Sequence, residues 1–98
     1  MTDKIFFIYI LTNANNTVLY IGLTSDISKR LWEHENGIYE KAFTKKYNIT
    51  KLIYVEIFGS AEHASHREYT LKRWQRTWKE KLIAQTNPMW EDIREKYI

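Results

Sequence analysis

Five side chains in this sequence have chemistry that could act together on a phosphate ester. Two are phenols, Tyr9 and Tyr20. The others are a guanidinium, Arg30, an imidazole, His34, and a carboxylate, Glu68. A phenol or imidazole can exchange a proton, a guanidinium can clamp an anionic oxygen, and a carboxylate can hold a hard cation. As a set they suit phosphodiester hydrolysis. Each alone has a plainer reading. Tyrosines are ordinary in strands. His34 alone reads as a satisfied core histidine, and Arg30 as half of an ion pair.

Glu68 is the residue that most disturbs the apolar pattern. The helix expected after residue 60 carries a stripe of Ala61, Ala64, Leu71, Trp78 and Leu82, and Glu68 falls on its line. A carboxylate facing a core is paired, liganding or catalytic. Arg67 and Lys72 are the near candidates for pairing. Gly22 follows Tyr20 by two residues and removes a side chain where close approach would matter. His63 and His66 stand three apart, but they lie off the stripe with no evident third ligand, so no metal is assigned to them.

The elements that must position these groups follow from local pattern. Residues 4–12 read as a strand apolar on both faces, with Phe6, Ile8 and Ile10 opposite Phe7, Tyr9 and Leu11, hence a central strand. Asparagines at 13–16 make a turn, and 18–22 return as a hairpin. Thr24 or Ser25 can cap a helix with Asp26 in its first turn, and Gly37 ends it. After a loop at 38–50 comes a third strand, 51–58. Ser60 caps a long helix reaching about residue 85. Asn87 and Pro88 suit the start of a last helix, 89–96. The order is β-β-α-β-α-α: an α/β protein in the loose, α+β sense, with a three-stranded, antiparallel sheet flanked by helices.

Ninety-eight residues bound the chain to a single domain, 1–98. The absence of cysteine removes disulfides, thiolate metal sites and thiol nucleophiles, and fits a reducing, cytoplasmic setting. The apolar run at 5–11 is too short to span a bilayer and lacks the flanks of a signal peptide. The net charge is +3, but it is unevenly spread. Residues 41–51 hold four lysines and no acid; residues 67–81 hold six basic side chains against Glu68 and Glu80. With 15% aromatic residues, this favours a polyanionic partner offering phosphates and base faces.

The ordered set resembles the GIY-YIG nuclease family. Its two name motifs match "FIY" at 7–9 and "YIG" at 20–22; its arginine falls on Arg30, its histidine on His34, its glutamate on Glu68 and its asparagine on Asn87. "FTKKYN", "REYTLKRW" and "NPMW" look like the small stand-alone, YhbQ-type members, which are similar to the N-terminal domain of the repair excinuclease. Phe7 departs from the first glycine of the family name. Leu23 stands where the repair excinuclease has lysine.

The resemblance implies a metal-dependent DNA endonuclease with Mg²⁺ or Mn²⁺ at Glu68, structure-selective and linked to DNA repair or processing in its narrower form; RNA stays open as substrate. Tyr9 would be the general base, positioned or deprotonated by His34 or Tyr20. Arg30 would lower the phenol pKa and clamp phosphate, and Gly22 and Asn87 would support the site. Lys45, Lys46, Lys72, Arg73 and Arg76 would track the nucleic-acid backbone. Two other readings compete: a nucleic-acid-binding module without catalysis, and a protein-interaction module using Trp74 and Trp90.

Overall fold

The computed structural model describes residues 4–37 and 47–98. Strands β1 (Phe6–Thr12), β2 (Leu19–Thr24) and β3 (Lys51–Phe58) form one sheet in the order β2-β1-β3, both pairs antiparallel. Helix α1 (Ile27–Asn36) follows β2; α2 (Ala61–Arg73) and α3 (Arg76–Thr86) follow β3. The expected α+β order, β-β-α-β-α-α, is the order observed among the described residues.

β1 is central because both its faces are apolar. Ile8 and Ile10 join Ile21, Ala64, Leu71 and Ile83 on the side of α2 and α3. Tyr9 and Leu11 join Ile27, Leu31, Ile49 and Leu52 on the side of α1. The alternation read from sequence therefore assigns each residue to its correct layer. A register shift between Ile10 and Leu11 against β3 lets Leu52 pack with one layer and Ile53 with the other. In the hairpin turn, Asn13 Oδ1 accepts from the backbone N–H of Thr17 and Val18 at 2.8 and 3.1 Å, and Asn16 adopts a left-handed φ of 56°.

Three local expectations need correction. The cap of α1 is Asp26, whose carboxylate accepts from the N–H of Lys29; Thr24 instead binds Asp26 through its hydroxyl. Gly37 does end α1, at φ 61°. The single long helix is two helices, broken at Trp74 and Gln75, which are both extended. No glycine or proline marks this break, so the periodicity runs straight through it. The break lets Trp74 and Leu82 pack on the sheet core beside Leu71 and Ile83, while Ala61 and Trp78 of the expected stripe turn outward.

The last expected α-helix is also absent. Residues 87–90 form a turn closed by Trp90 N–H to Asn87 O, and only a 3₁₀ turn follows at Arg94–Lys96. Asn87 is thus no helix N-cap. Its buried amide donates to Ile53 O and Glu91 O and accepts from Glu91 N–H, tying the end of α3 and the following turn to β3.

Candidate functional site

Pairing register builds the site. Tyr9 stands directly opposite Gly22, and Tyr20 opposite Leu11, so Tyr20 is diagonal to Tyr9 on the same face. The Tyr9 ring lies across Gly22. A Cβ there would stand 2.2 Å from the Tyr9 phenol oxygen and 2.3 Å from Cζ. Glycine is needed at position 22 for space, since this is ordinary strand backbone.

α1 supplies the other half. Its buried side presents Ile27, Leu31 and His34, and Nε2 of His34 lies 2.8 Å from the Tyr9 phenol oxygen. The three rings form one cluster: centroids are 6.4 Å apart for Tyr9 and Tyr20, 5.7 Å for Tyr9 and His34, and 5.0 Å for Tyr20 and His34. Tyr9 is wholly buried and His34 nearly so, whereas Tyr20 keeps some exposed surface. Arg30, one turn before His34 and half-buried, pairs with Glu33 at 3.4 Å.

Burial lowers the His34 pKa to about 4, with the Arg30 charge adding to the shift and Glu33 opposing it. The imidazole is therefore neutral at pH 7, and its Nε2 shares a hydrogen bond with the Tyr9 O–H. It is too weak a base to take that proton in the resting protein. His34 orients the phenol.

Glu68 lies between Ala64 and Leu71 on the inner side of α2, which packs across β1 and β2 on the opposite sheet face from His34. Its carboxylate is largely covered and pairs with the more exposed Lys72 at 3.1 Å. Of the expected line Ala64, Glu68 and Leu71, only Ala64 and Leu71 are buried; Glu68 is partly exposed, takes Lys72 as its resting partner, and is not gathered with Tyr9 and His34. Arg67, the other candidate, turns to Glu56 instead, with both bonds at 2.9 Å.

Among the described residues, no group of three or more His, Cys, Asp or Glu side chains could share an ion. The donor set at Glu68 is one carboxylate. It fits a hard cation that keeps most of its waters, and the solvent-facing Lys72 can swing away from it.

The basic residues divide. Lys45 and Lys46 lie outside the described residues. Arg73 lies 5.2 Å over the Tyr69 ring at the exposed end of α2. Arg76 is engaged by Glu80 at 2.9 Å and by the carbonyls of Thr17 and Asn16 at 2.7 and 2.8 Å, so it pins α3 to the hairpin turn.

A second polar cluster escapes the sequence pattern. Tyr54 donates to Glu56, which takes the two bonds from Arg67, whose guanidinium lies 5.2 Å from the Trp74 ring centroid. Burial and the bond to Glu56 raise the Tyr54 pKa. Burial works to raise Glu56, but the bonds from Arg67 and Tyr54 outweigh it and hold the carboxyl below its ordinary value. A signal for it exists: Tyr54 and Glu56 are two apart on one strand, hence on one face.

Known proteins resemble this chain in sequence and fold. The model of the GIY-YIG catalytic domain matches residues 5–81. A UPF0213 protein of Syntrophus aciditrophicus is 39% identical over 82 residues, covering 84% of this chain and 92% of the relative. A UPF0213 protein of Yersinia pestis is 34% identical over 83 residues, 85% of each. The solution NMR structure of UPF0213 protein BH0048 from Bacillus halodurans is similar at a TM-score of 0.58 and 28% identity, covering 90% of this chain and 92% of that one. The chain belongs to the GIY-YIG catalytic domain family, among its small UPF0213-type relatives. Membership supports an endonuclease-type function on a nucleic-acid substrate. Among the described residues, no helix is long and apolar enough to cross a membrane.

Proposed function

We propose that this chain is a single-domain, divalent-metal-dependent DNA endonuclease that hydrolyses phosphodiester bonds in DNA repair or processing. A cytoplasmic setting suits its cysteine-free composition. The observation that carries the reading is the Tyr9–His34 hydrogen bond, set between Tyr20 and Gly22 in a family that shares these motifs.

The residues divide the work by exposure. Tyr20 and Arg30 have surface to offer a substrate; Tyr9 and His34 lie behind them. Arg30 clamps a phosphate oxygen, exchanging its bond to Glu33 for the anion. The phenols orient the attacking water through their hydroxyls, with Tyr9 held in place by His34. The general-base role expected of Tyr9 meets a wholly buried ring, so contact with water falls first to Tyr20. Glu68 would hold Mg²⁺ or Mn²⁺, which when bound would offset charge on the phosphate and leaving oxygen. Lys72 and Arg73, with Lys45 and Lys46, supply phosphate contacts that carry no sequence information.

The test is cleavage of labelled single-stranded, duplex and branched DNA, and of matching RNA, with Mg²⁺ or Mn²⁺ and with chelator. DNA should be nicked only with metal, and Glu68→Gln should abolish nicking while leaving salt-sensitive binding. Absence of cleavage on every substrate, or equal cleavage by Glu68→Gln, overturns the reading.

A further inference from the structure

Where α2 gives way to α3, the break leaves a groove of about 280 Å³ lined by Trp74, Trp78, Lys81, Leu82 and Gln85. Trp74 is its fixed wall: it packs on the sheet core, and Arg67 lies 5.2 Å from its ring centroid. Trp78 stands edge-on to it, centroids 5.9 Å apart at 85°, and is half exposed. An exposed indole held upright by a second, anchored indole is a rigid aromatic platform.

The groove also has a charge preference. Its one ionisable lining residue, among the described residues, is the cation Lys81. The flanking elements add Arg73 and Lys79, Lys72 is paired with Glu68, and the single acid on α3, Glu80, is bound to Arg76. A second surface groove, lined by Asn16, Glu80, Pro88, Met89 and Trp90, has an acid in its wall and lacks this complementarity. The volume of the first is just below that of a small-molecule pocket, room for one planar ring system.

We propose that the Trp74–Trp78 groove is a nucleotide subsite in which an unpaired base stacks on Trp78 while Lys81 meets the adjoining phosphate. The subsite rests on the nucleic-acid reading above and sharpens it: the substrate has a single-stranded segment running along α2 past Glu68 towards α3. A base in a duplex is already stacked and offers no free face.

The probes are a thymidine oligonucleotide and a blunt duplex of equal length, bound to the full chain in chelator at several salt concentrations. Metal-free binding separates this test from cleavage. Trp78→Ala should weaken the single strand about tenfold and remove part of the tryptophan quenching, leaving duplex binding within twofold. Trp78→Phe should restore most of the affinity. Lys81→Glu should weaken single-strand binding with a shallower salt dependence. Unchanged single-strand binding by Trp78→Ala overturns the subsite alone and leaves the groove to a protein partner. Equal losses on single strand and duplex overturn base stacking. If the unaltered chain binds neither probe at low salt, the nucleic-acid reading itself fails.

Discussion

Each face of the sheet carries a polar cluster built on a tyrosine, and the two are opposite in character. On the α2 side, Tyr54, Glu56 and Arg67 satisfy one another: a phenol donates to a carboxylate that is doubly held by a guanidinium. On the α1 side, Tyr9 meets a histidine that burial keeps neutral, with a glycine cleared to admit its ring. The first cluster has closed its charges and has little left to give a substrate. The second holds two phenols, a neutral imidazole and a nearby guanidinium, groups able to move a proton or receive an anion. Perturbed ionisation therefore does not separate function from architecture here, since Glu56 and His34 are both shifted. Partner chemistry does.

The largest contrast should come from the same substitution on each face. Tyr9→Phe should lower cleavage roughly a hundredfold, and should cost about 2 kcal/mol in urea unfolding because Nε2 of buried His34 loses its partner. Tyr54→Phe should cost about 1 kcal/mol, with cleavage by the folded protein unchanged within twofold, since Arg67 still satisfies Glu56. Equal activity losses would merge the two clusters into one functional unit. Gly22→Ala should approach the Tyr9→Phe defect in activity, because the added methyl displaces the ring it was cleared for.

Acid should act next, through His34. Its folded pKa of about 4 lies below the ordinary 6.5, so the folded state disfavours the charged imidazole. The stability this contributes is complete above pH 6.5 and is lost as pH falls from 6.5 to 4, amounting to about 3 kcal/mol. Unfolding midpoints measured through this window should slope for the unaltered chain and flatten for His34→Gln. Glu56 acts the same way lower down: its depressed carboxyl loses its contribution as pH falls below the ordinary carboxylate range. An unaltered slope in His34→Gln would assign the whole acid response to carboxylates.

The candidate site is more legible in the sequence than the helices that frame it. Tyr9, Tyr20, Gly22 and His34 can be placed on one face because strand alternation and the i, i+4 helical repeat are local rules, and pairing across a short hairpin follows from its turn. The break at Trp74 and Gln75 is not legible. It satisfies a tertiary demand, the packing of Trp74 and Leu82 on the sheet, and leaves no glycine or proline behind. The missing last helix has the same cause: Asn87 spends its amide on Ile53 and Glu91, so a residue suited to capping serves as a clamp to β3. Glu56 escapes notice because an acid on an edge strand reads as solvent-facing until Arg67 is seen to cover it.

Smaller effects should come from the cations, where two arginines near the α2–α3 junction make the same comparison at the surface. Arg73 lies over Tyr69 at an exposed helix end, while Arg76 is engaged by Glu80, Thr17 and Asn16. If engagement decides which cation is available to a phosphate, Arg73→Met should lower the slope of log binding against log salt by about one, with little change in stability. Arg76→Met should leave the slope alone and cost about 1 kcal/mol in unfolding, because it releases α3 from the hairpin turn. A fall in slope for Arg76→Met would mean that the guanidinium leaves the hairpin carbonyls when nucleic acid binds. The hairpin that carries Tyr9 and Tyr20 would then be loosened by the substrate.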